Sequence, residues 1–266
     1  MILQEATETI YQGYLQKNFN IVKKEFIYTK KSISWFIDSE RTTTFYKKSL
    51  KILKPYLKEC KTILDIGCGV GSFSIELAKM GFHTTAIDKF PLVIESLVER
   101  KRQMKLENLT PLNISFEDFE FNNKYDIILA SYMMGLINEN TIDDILKNTN
   151  KHLVLILPYK RIKNDFSISE LYDELEIDIG NLEQSNYIDI INILDKKNIK
   201  YDIEIFKSEF GQSFKNFEEA ILFIYHYFNV PKKNLRIVID WLKRKLIIKD
   251  NLYYLPNVKE SAIIII

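Results

Sequence analysis

Thr62-Ile63-Leu64-Asp65-Ile66-Gly67-Cys68-Gly69-Val70-Gly71-Ser72-Phe73-Ser74 is the stretch that decides the fold. Thr62 to Ile66 is a short apolar run with Asp65 near its end, the pattern of a buried strand. Gly67, Gly69 and Gly71 follow at once, where neither a strand nor a helix favours glycine. Beyond them Phe73, Leu77 and Met80 recur at helical spacing, and Gly81 stands where a helix C-cap glycine belongs. Strand, glycine-rich turn and helix form the opening unit of a nucleotide-binding α/β sheet. Such a turn lets the backbone approach a ligand closely.

The glycine spacing separates two kinds of cofactor. A dinucleotide fingerprint reads G-x-G-x-x-G and sets a pyrophosphate on the helix N-terminus. Here the third glycine comes one residue early, and Ser72 occupies the place of the missing one. Asp65 lies two residues before the first glycine; a carboxylate there suits a cationic ligand group better than a pyrophosphate. The pattern D-x-G-x-G-x-G resembles motif I of the class I S-adenosylmethionine-dependent methyltransferases. That resemblance implies a doubly wound, Rossmann-like seven-stranded sheet, S-adenosyl-L-methionine as cofactor, and Asp65, Gly67, Cys68, Gly69 and Gly71 beside it.

Thr84 to Asp88 reads as a second strand ending in a carboxylate, about 20 residues past the glycines, where an acid can hydrogen-bond ribose hydroxyls. Asp88 also matches the family's motif II acid. Lys89 and Phe90 follow, where the family often packs adenine, and Pro91 opens the next helix, Leu92 to about Leu106. The pattern then loosens. In Asn113–Phe121 the family's motif III acid is missing: Ser115 and Phe116 fall at that position, while Glu117 and Asp118 come late, so the adenine contact stays open. Tyr125–Ser131 resembles the fourth strand, which brings Ser131 to the methionine part of the cofactor. Thr141 and Asp144 stand in capping-box spacing ahead of a short helix, and His152–Leu157 is the fifth strand. The resemblance covers roughly residues 42–159.

Four segments are expected. Residues 1–41 form a helical N-terminal lid carrying Tyr11, Tyr14, Phe26, Tyr28, Trp35 and Phe36, aromatics that either line the pocket or pack on the core. Residues 42–210 form the cofactor-binding core, with Ser167 and Glu170 in a second capping-box pattern and a further helix from Asn186 to Lys197. Residues 211–250 form a helical insertion before the last strand, with one helix face carrying Phe217, Ile221, Ile224 and Phe228 and another carrying Leu235, Val238, Leu242 and Leu246. It serves either as a substrate cap or as a dimer contact. Residues 251–266 supply the final strand or strands of the core sheet.

Methyl transfer from a sulfonium needs mainly alignment, with a base only if the acceptor arrives protonated. His83 and His152 fall at the N-terminal edge of the sheet, away from ligands. The candidate catalytic residues are therefore Tyr132 and Tyr159, after the fourth and fifth strands, and His226 in the insertion. Two familiar substrate signatures are missing. Ala130-Ser131-Tyr132-Met133 replaces the [DNS]-P-P-[FYW] string of enzymes that methylate base amines, and Leu136 stands where many small-molecule methyltransferases carry histidine.

Lys plus Arg total 37 against 36 Asp plus Glu, so no overall charge recruits nucleic acid or a membrane. Cys60 and Cys68 offer neither a disulfide framework nor metal-ligand spacing, and Cys68 reads as a small residue in the glycine turn. Nothing resembles a signal peptide or a spanning helix, so a cytoplasmic enzyme is expected. The expected acceptor is a small molecule in an apolar, aromatic pocket. RNA is the first alternative, resting on Lys232, Lys233, Arg236, Lys243, Arg244, Lys245 and Lys249. A non-catalytic cofactor-binding scaffold is the second.

Overall fold

The computed structural model describes residues 27–266; Tyr11, Tyr14 and Phe26 lie outside them. Seven strands build one twisted sheet: β1 (Thr62–Ile66), β2 (His83–Asp88), β3 (Leu109–Asn113), β4 (Tyr125–Ser131), β5 (Thr149–Pro158), β6 (Asp202–Glu209) and the last strand of the chain, Val258–Ile265, β10 below. Their order is β3-β2-β1-β4-β5-β10-β6. The first five are parallel, and β10 runs antiparallel between β5 and β6. This is the doubly wound sheet expected from the sequence. The strand order reverses between β1 and β4, where the crevice of such a sheet opens at the carboxyl ends.

Both sheet faces are covered, so the central strands read as unbroken apolar runs. Alternation still sorts them: Ile63, Ile127, Leu129 and Ile263 share one buried layer, while Leu64, Ile128, Ala130 and Ile264 share the other. Asp126 fixes the register at the start of β4, its carboxylate accepting from the backbone N–H of Lys61 at 2.7 Å and of Thr62 at 3.1 Å.

Helix α1 (Lys30–Thr42) and α2 (Phe45–Leu53) precede the sheet, and α3 (Ser72–Lys79), α4 (Pro91–Met104), α5 (Ile142–Lys147), α6 (Ile168–Glu174) and α7 (Tyr187–Lys196) follow within it. Two expected caps take other forms. Thr141 caps nothing with its side chain; its hydroxyl turns back to the Leu136 carbonyl, and Asn138 receives the N–H of Thr141 instead. Ser167 sits in the left-handed region, which carries its hydroxyl away from the first turn of α6. Asn186 does form a capping box, with Asp189.

Between β6 and β10 the chain leaves the main sheet. It forms β7 (Gln212–Phe214), α8 (Phe217–Tyr227), α9 (Leu235–Lys245), β8 (Ile247–Lys249) and β9 (Leu252–Leu255) before returning as β10 (Val258–Ile265). The two helices fall where the sequence placed them. A three-stranded sheet of order β7-β9-β8 accompanies them. Leu252–Leu255, expected within the core sheet, therefore pairs with β7 and β8 instead. These strands have three or four residues each, too short for an alternating pattern to declare itself. The insertion has its own core, in which Trp241, Phe214, Ile224 and Leu255 are buried with Trp35 of α1.

Helix α1 is thereby shared by two cores. Trp35 faces the insertion and donates its indole N–H to Glu219 of α8 at 2.9 Å. On the other side Glu40 receives Arg100 of α4 at 2.6 Å and the hydroxyl of Ser72 at 2.7 Å. Arg100 also donates to the Val70 carbonyl at 2.7 Å. The pair is almost entirely out of water, with side chains 8% and 12% exposed. Breaking a buried pair strands the partner's charge and costs about 3–5 kcal/mol, whereas an exposed pair is worth up to about 1 kcal/mol. Denaturant melts should show Glu40→Ala losing at least about 3 kcal/mol and Arg244→Ala, which cuts the exposed Arg244–Glu174 pair, losing about 1 kcal/mol or less. Equal losses would show that the buried pair holds nothing together.

Candidate functional site

The chain turns sharply as β1 ends, with Gly67 at φ +66° and Gly69 at φ +53°. A Cβ on Gly67 would lie 2.1 Å from the Met133 sulfur, so backbone and side chain could not both fit. A Cβ on Gly69 would meet nothing within 4 Å. It would project into a cavity of about 490 Å³ that opens at the carboxyl ends of β1, β2 and β4. Gly69 is thus a bare stretch of backbone facing open space, the arrangement by which a glycine loop admits a ligand.

Two carboxylates from the strand tips face this cavity. Asp88 closes β2 and accepts from the N–H of Gly69 at 2.9 Å and of Phe90 at 3.0 Å. These bonds orient it along the rim. Burial raises its pKa, partly opposed by the same two bonds. Asp65 is 2% exposed and takes a hydrogen bond from the Ser74 hydroxyl. Burial pushes its carboxyl up to about 7, with the Ser74 bond pulling down and the charge of Asp88 adding to the rise. A cation arriving in the cavity would favour the ionised form of both.

The cavity has two unlike ends. Near β2 and β3 the wall carries Tyr28, Lys89, Phe90, Ser115 and Phe116. Tyr28 meets Phe90 edge-on at 5.1 Å, and Ser115 donates to Asp118 at 2.7 Å. Near β4 the wall is a nest of rings: Phe36, Phe45, Tyr46, Phe73, Tyr132 and Phe210. Tyr46 and Phe73 meet at 4.9 Å, and Phe45 and Phe210 at 5.6 Å. Lys259 of β10 holds its ammonium over Tyr132 at 4.4 Å and over Phe210 at 4.6 Å. Helix α1 contributes Phe36 to this half, while its neighbour Trp35 turns to the insertion core.

Most residues singled out from sequence converge on this one cavity. Asp65, Gly67, Cys68, Gly69, Asp88, Lys89, Ser115, Phe116 and Ser131 line it, and so does Tyr132. Gly71 does not: its missing Cβ makes room for Leu97 of α4, at 2.2 Å, so it serves packing. Tyr159 is also absent from the lining, and its ring stacks on Tyr187 at 5.3 Å. His226 packs edge-on against Trp35 at 6.0 Å and Tyr227 at 5.0 Å inside the insertion. Neither lines the cavity. Tyr132 stands at φ +57°, and its hydroxyl lies 2.7 Å from that of Ser261. Burial pushes its phenol well above the ordinary range.

The residues that sequence reasoning missed are Phe45, Phe210 and Lys259. Phe45 reads as one more apolar residue on a helix, and Phe210 follows a strand. Lys259 lies near a strand start, where lysine ordinarily marks solvent. No local pattern connects three positions so far apart; only the return of β10 beside β5 does.

Residues 21–171 match the family model described as "Tellurite resistance protein TehB". The ribosomal protein L11 methyltransferase of Campylobacter fetus is 30% identical over 142 residues, 52% of this chain and 50% of that protein. The protein of the same name from Thermotoga maritima is 30% identical over 114 residues, 42% of this chain and 41% of that one. The chain thus spans about half the length of the curated relatives it matches, or less. A crystal structure from Bacillus halodurans, described as a candidate methyltransferase, covers 84% of this chain and 97% of its own at a TM-score of 0.54 and 15% identity. At that identity the likeness concerns the fold alone.

Asp65 gives the ligand-free protein a pH signature. Its folded pKa of about 7 lies above the ordinary 3.8, so the stability it contributes is complete below that lower value and is lost as pH rises towards 7. Thermal melts should show the wild type losing several degrees relative to Asp65→Asn between pH 4 and 7, at about 2–4 °C per kcal/mol, and nothing further above pH 8. Parallel curves for the two proteins would refute the buried, strained carboxylate.

Proposed function

The chain belongs to the tellurite resistance protein TehB family, within the class I S-adenosylmethionine-dependent methyltransferases, and on that premise we propose that it methylates a small-molecule acceptor in the ring-lined half of the cavity. The observation that carries this reading is the juxtaposition of Gly69, bare towards open space, with Asp88 at the neighbouring strand tip and a ring-lined space beyond.

The residues fit the cofactor on three counts. Asp88 presents a carboxylate to ribose hydroxyls, and a charge-assisted bond of this kind is among the stronger ones. Asp65 offers a counter-charge to the cationic end. Phe90, Ser115 and Phe116 form a slot for a planar base. When bound, S-adenosyl-L-methionine supplies an electrophilic methyl group on a sulfonium. The chain's own part is alignment. Phe45, Tyr46, Phe73 and Tyr132 hold an acceptor in line and exclude water, and the Tyr132 hydroxyl, fixed by Ser261 and protonated at neutral pH, orients it. Such a phenol is a hydrogen-bonding group, not a base.

Small size of the acceptor is favoured by enclosure and by charge. The basic residues of the insertion are largely engaged by acids: Arg244 by Glu174, Lys245 by Glu170, Lys249 by Glu209 and Lys243 by Asp240. A phosphate-binding face needs free cations. The names of the relatives supply a second reading, a protein acceptor, and the family description places tellurite among the compounds to assay.

Calorimetry with S-adenosylhomocysteine tests the cofactor half. Asp88→Ala removes the charged partner of the ribose, and Gly69→Val fills the bare loop and strains φ; each should weaken binding at least about tenfold. Unchanged affinity in both variants would end the assignment. Turnover of S-adenosylmethionine with pooled small metabolites, ribosomal proteins and bulk tRNA then sorts the acceptors, and salt-sensitive nanomolar binding to tRNA would overturn the small-molecule reading.

A further inference from the structure

Beyond Tyr132 the cavity does not end. A second hollow of about 500 Å³ shares Tyr132, Met134 and Lys259 with the first and continues between the segments 158–167 and 256–260. Pro158, Ile162, Pro256 and Val258 are apolar members of a mainly polar lining that also carries Asn164, Ser167, Gln184 and Asn257. Lys259 is the gatepost between the two spaces.

The electrostatic position of Lys259 is unusual. Its ammonium lies over Tyr132, Phe210 and, at 6.0 Å, Phe45, and it forms no ion pair with a described residue. The adjacent carboxylate of the hollow, Glu260, is already engaged, by Lys160 at 3.2 Å and Lys207 at 2.6 Å. Asp165, the other acid of the hollow, takes its hydrogen bond from the Asn257 amide at 3.2 Å. The hollow carries Lys160, Lys163 and Lys259 against Asp165 and Glu260, a surplus of one positive charge. A half-buried cation whose partners are ring faces alone keeps only the modest attraction of those rings, about 0.5–2 kcal/mol, and an anion brought within reach is bound far more strongly there than in water.

We propose that Lys259 recognises the carboxylate of a small aromatic acid, the ring of which lies among the aromatic side chains about Tyr132. This rests on the methyltransferase reading of the cavity and names the class of its acceptor. The charge selects an anion, and the surrounding rings select a flat apolar body over a compact hydrated oxyanion. The carboxylate serves as the handle that fixes the acceptor's position relative to the methyl group.

The test uses the full chain saturated with S-adenosylhomocysteine and benzoate as probe, titrated by calorimetry at fixed ionic strength. Benzoate should bind the wild type at least about tenfold more tightly than benzyl alcohol, its uncharged counterpart, and more tightly than inorganic phosphate. Lys259→Met, which keeps the side-chain length and removes the charge, should weaken benzoate at least about tenfold; Lys259→Arg should restore it to within about threefold. No benzoate binding to the wild type, benzyl alcohol or phosphate binding as well as benzoate, or equal benzoate affinity in Lys259→Met each overturns the proposal. So does a matching loss of S-adenosylhomocysteine affinity in Lys259→Met, which would put the ammonium on the cofactor's own carboxylate. A wild type that fails to bind S-adenosylhomocysteine at all marks the failure of the underlying reading instead.

Discussion

The ion pair between Glu40 and Arg100 ties together helix α1, the glycine loop and helix α4, which also share the apolar cluster of Ile33, Val70, Val93 and Ile94. One carboxylate oxygen takes the guanidinium of α4, and the other takes the hydroxyl of Ser72 at the start of α3. The guanidinium in turn holds the Val70 carbonyl inside the glycine loop. Roof, loop and flanking helix thus share one desolvated cluster. Low dielectric makes each member costly to leave unpaired, so the roof cannot lift without exposing charge to an apolar interior. A roof held in this way keeps Phe36 against the ring-lined half of the cavity.

Charge divides that cavity. Asp65 and Asp88 place negative charge at the tips of β1 and β2, suited to the cationic and hydroxyl-bearing parts of an adenosyl sulfonium. Lys259 places positive charge on the opposite wall, across a belt of rings. Lys89 stands beside Asp88 at the carboxylate end, whereas the cation at the ring-lined end, Lys259, has only ring faces about its ammonium. Alignment of two reactants is most of what a methyl transfer asks of a protein.

The inserted helices take part in this at one remove. Their core includes Trp35, and Glu219 binds both the Trp35 indole and Lys31. The roof is thereby pinned from outside as well as from inside. No residue of 211–250 is among those lining the cavity, and His226, half-buried and edge-on to Trp35, belongs to this contact.

Local pattern was enough wherever a function depends on neighbours in the chain. The glycine turn, the carboxylate at the end of the second strand and the parallel sheet all follow from spacing, because a strand, a tight turn and a helix are determined within about twenty residues. Helices α8 and α9 were legible for the same reason. Asn186 and Asp189 showed a cap that formed, whereas Thr141 and Ser167 showed the same spacing with the backbone in other conformations, since a capping pattern names partners without fixing φ and ψ. The three-residue strands of the small sheet were too short to carry any signal.

What the amino-acid sequence alone determined is the cofactor side of this protein: Asp65, Gly67, Gly69 and Asp88 lie within one strand–turn–helix–strand unit whose geometry is local. Only the tertiary structure decided the acceptor side. It left Tyr159 and His226 outside the cavity lining and brought Phe45, Tyr132, Phe210 and Lys259 together across more than 200 residues of chain. The physical reason is that β10 inserts antiparallel beside β5, a long-range pairing that spacing along the chain does not encode.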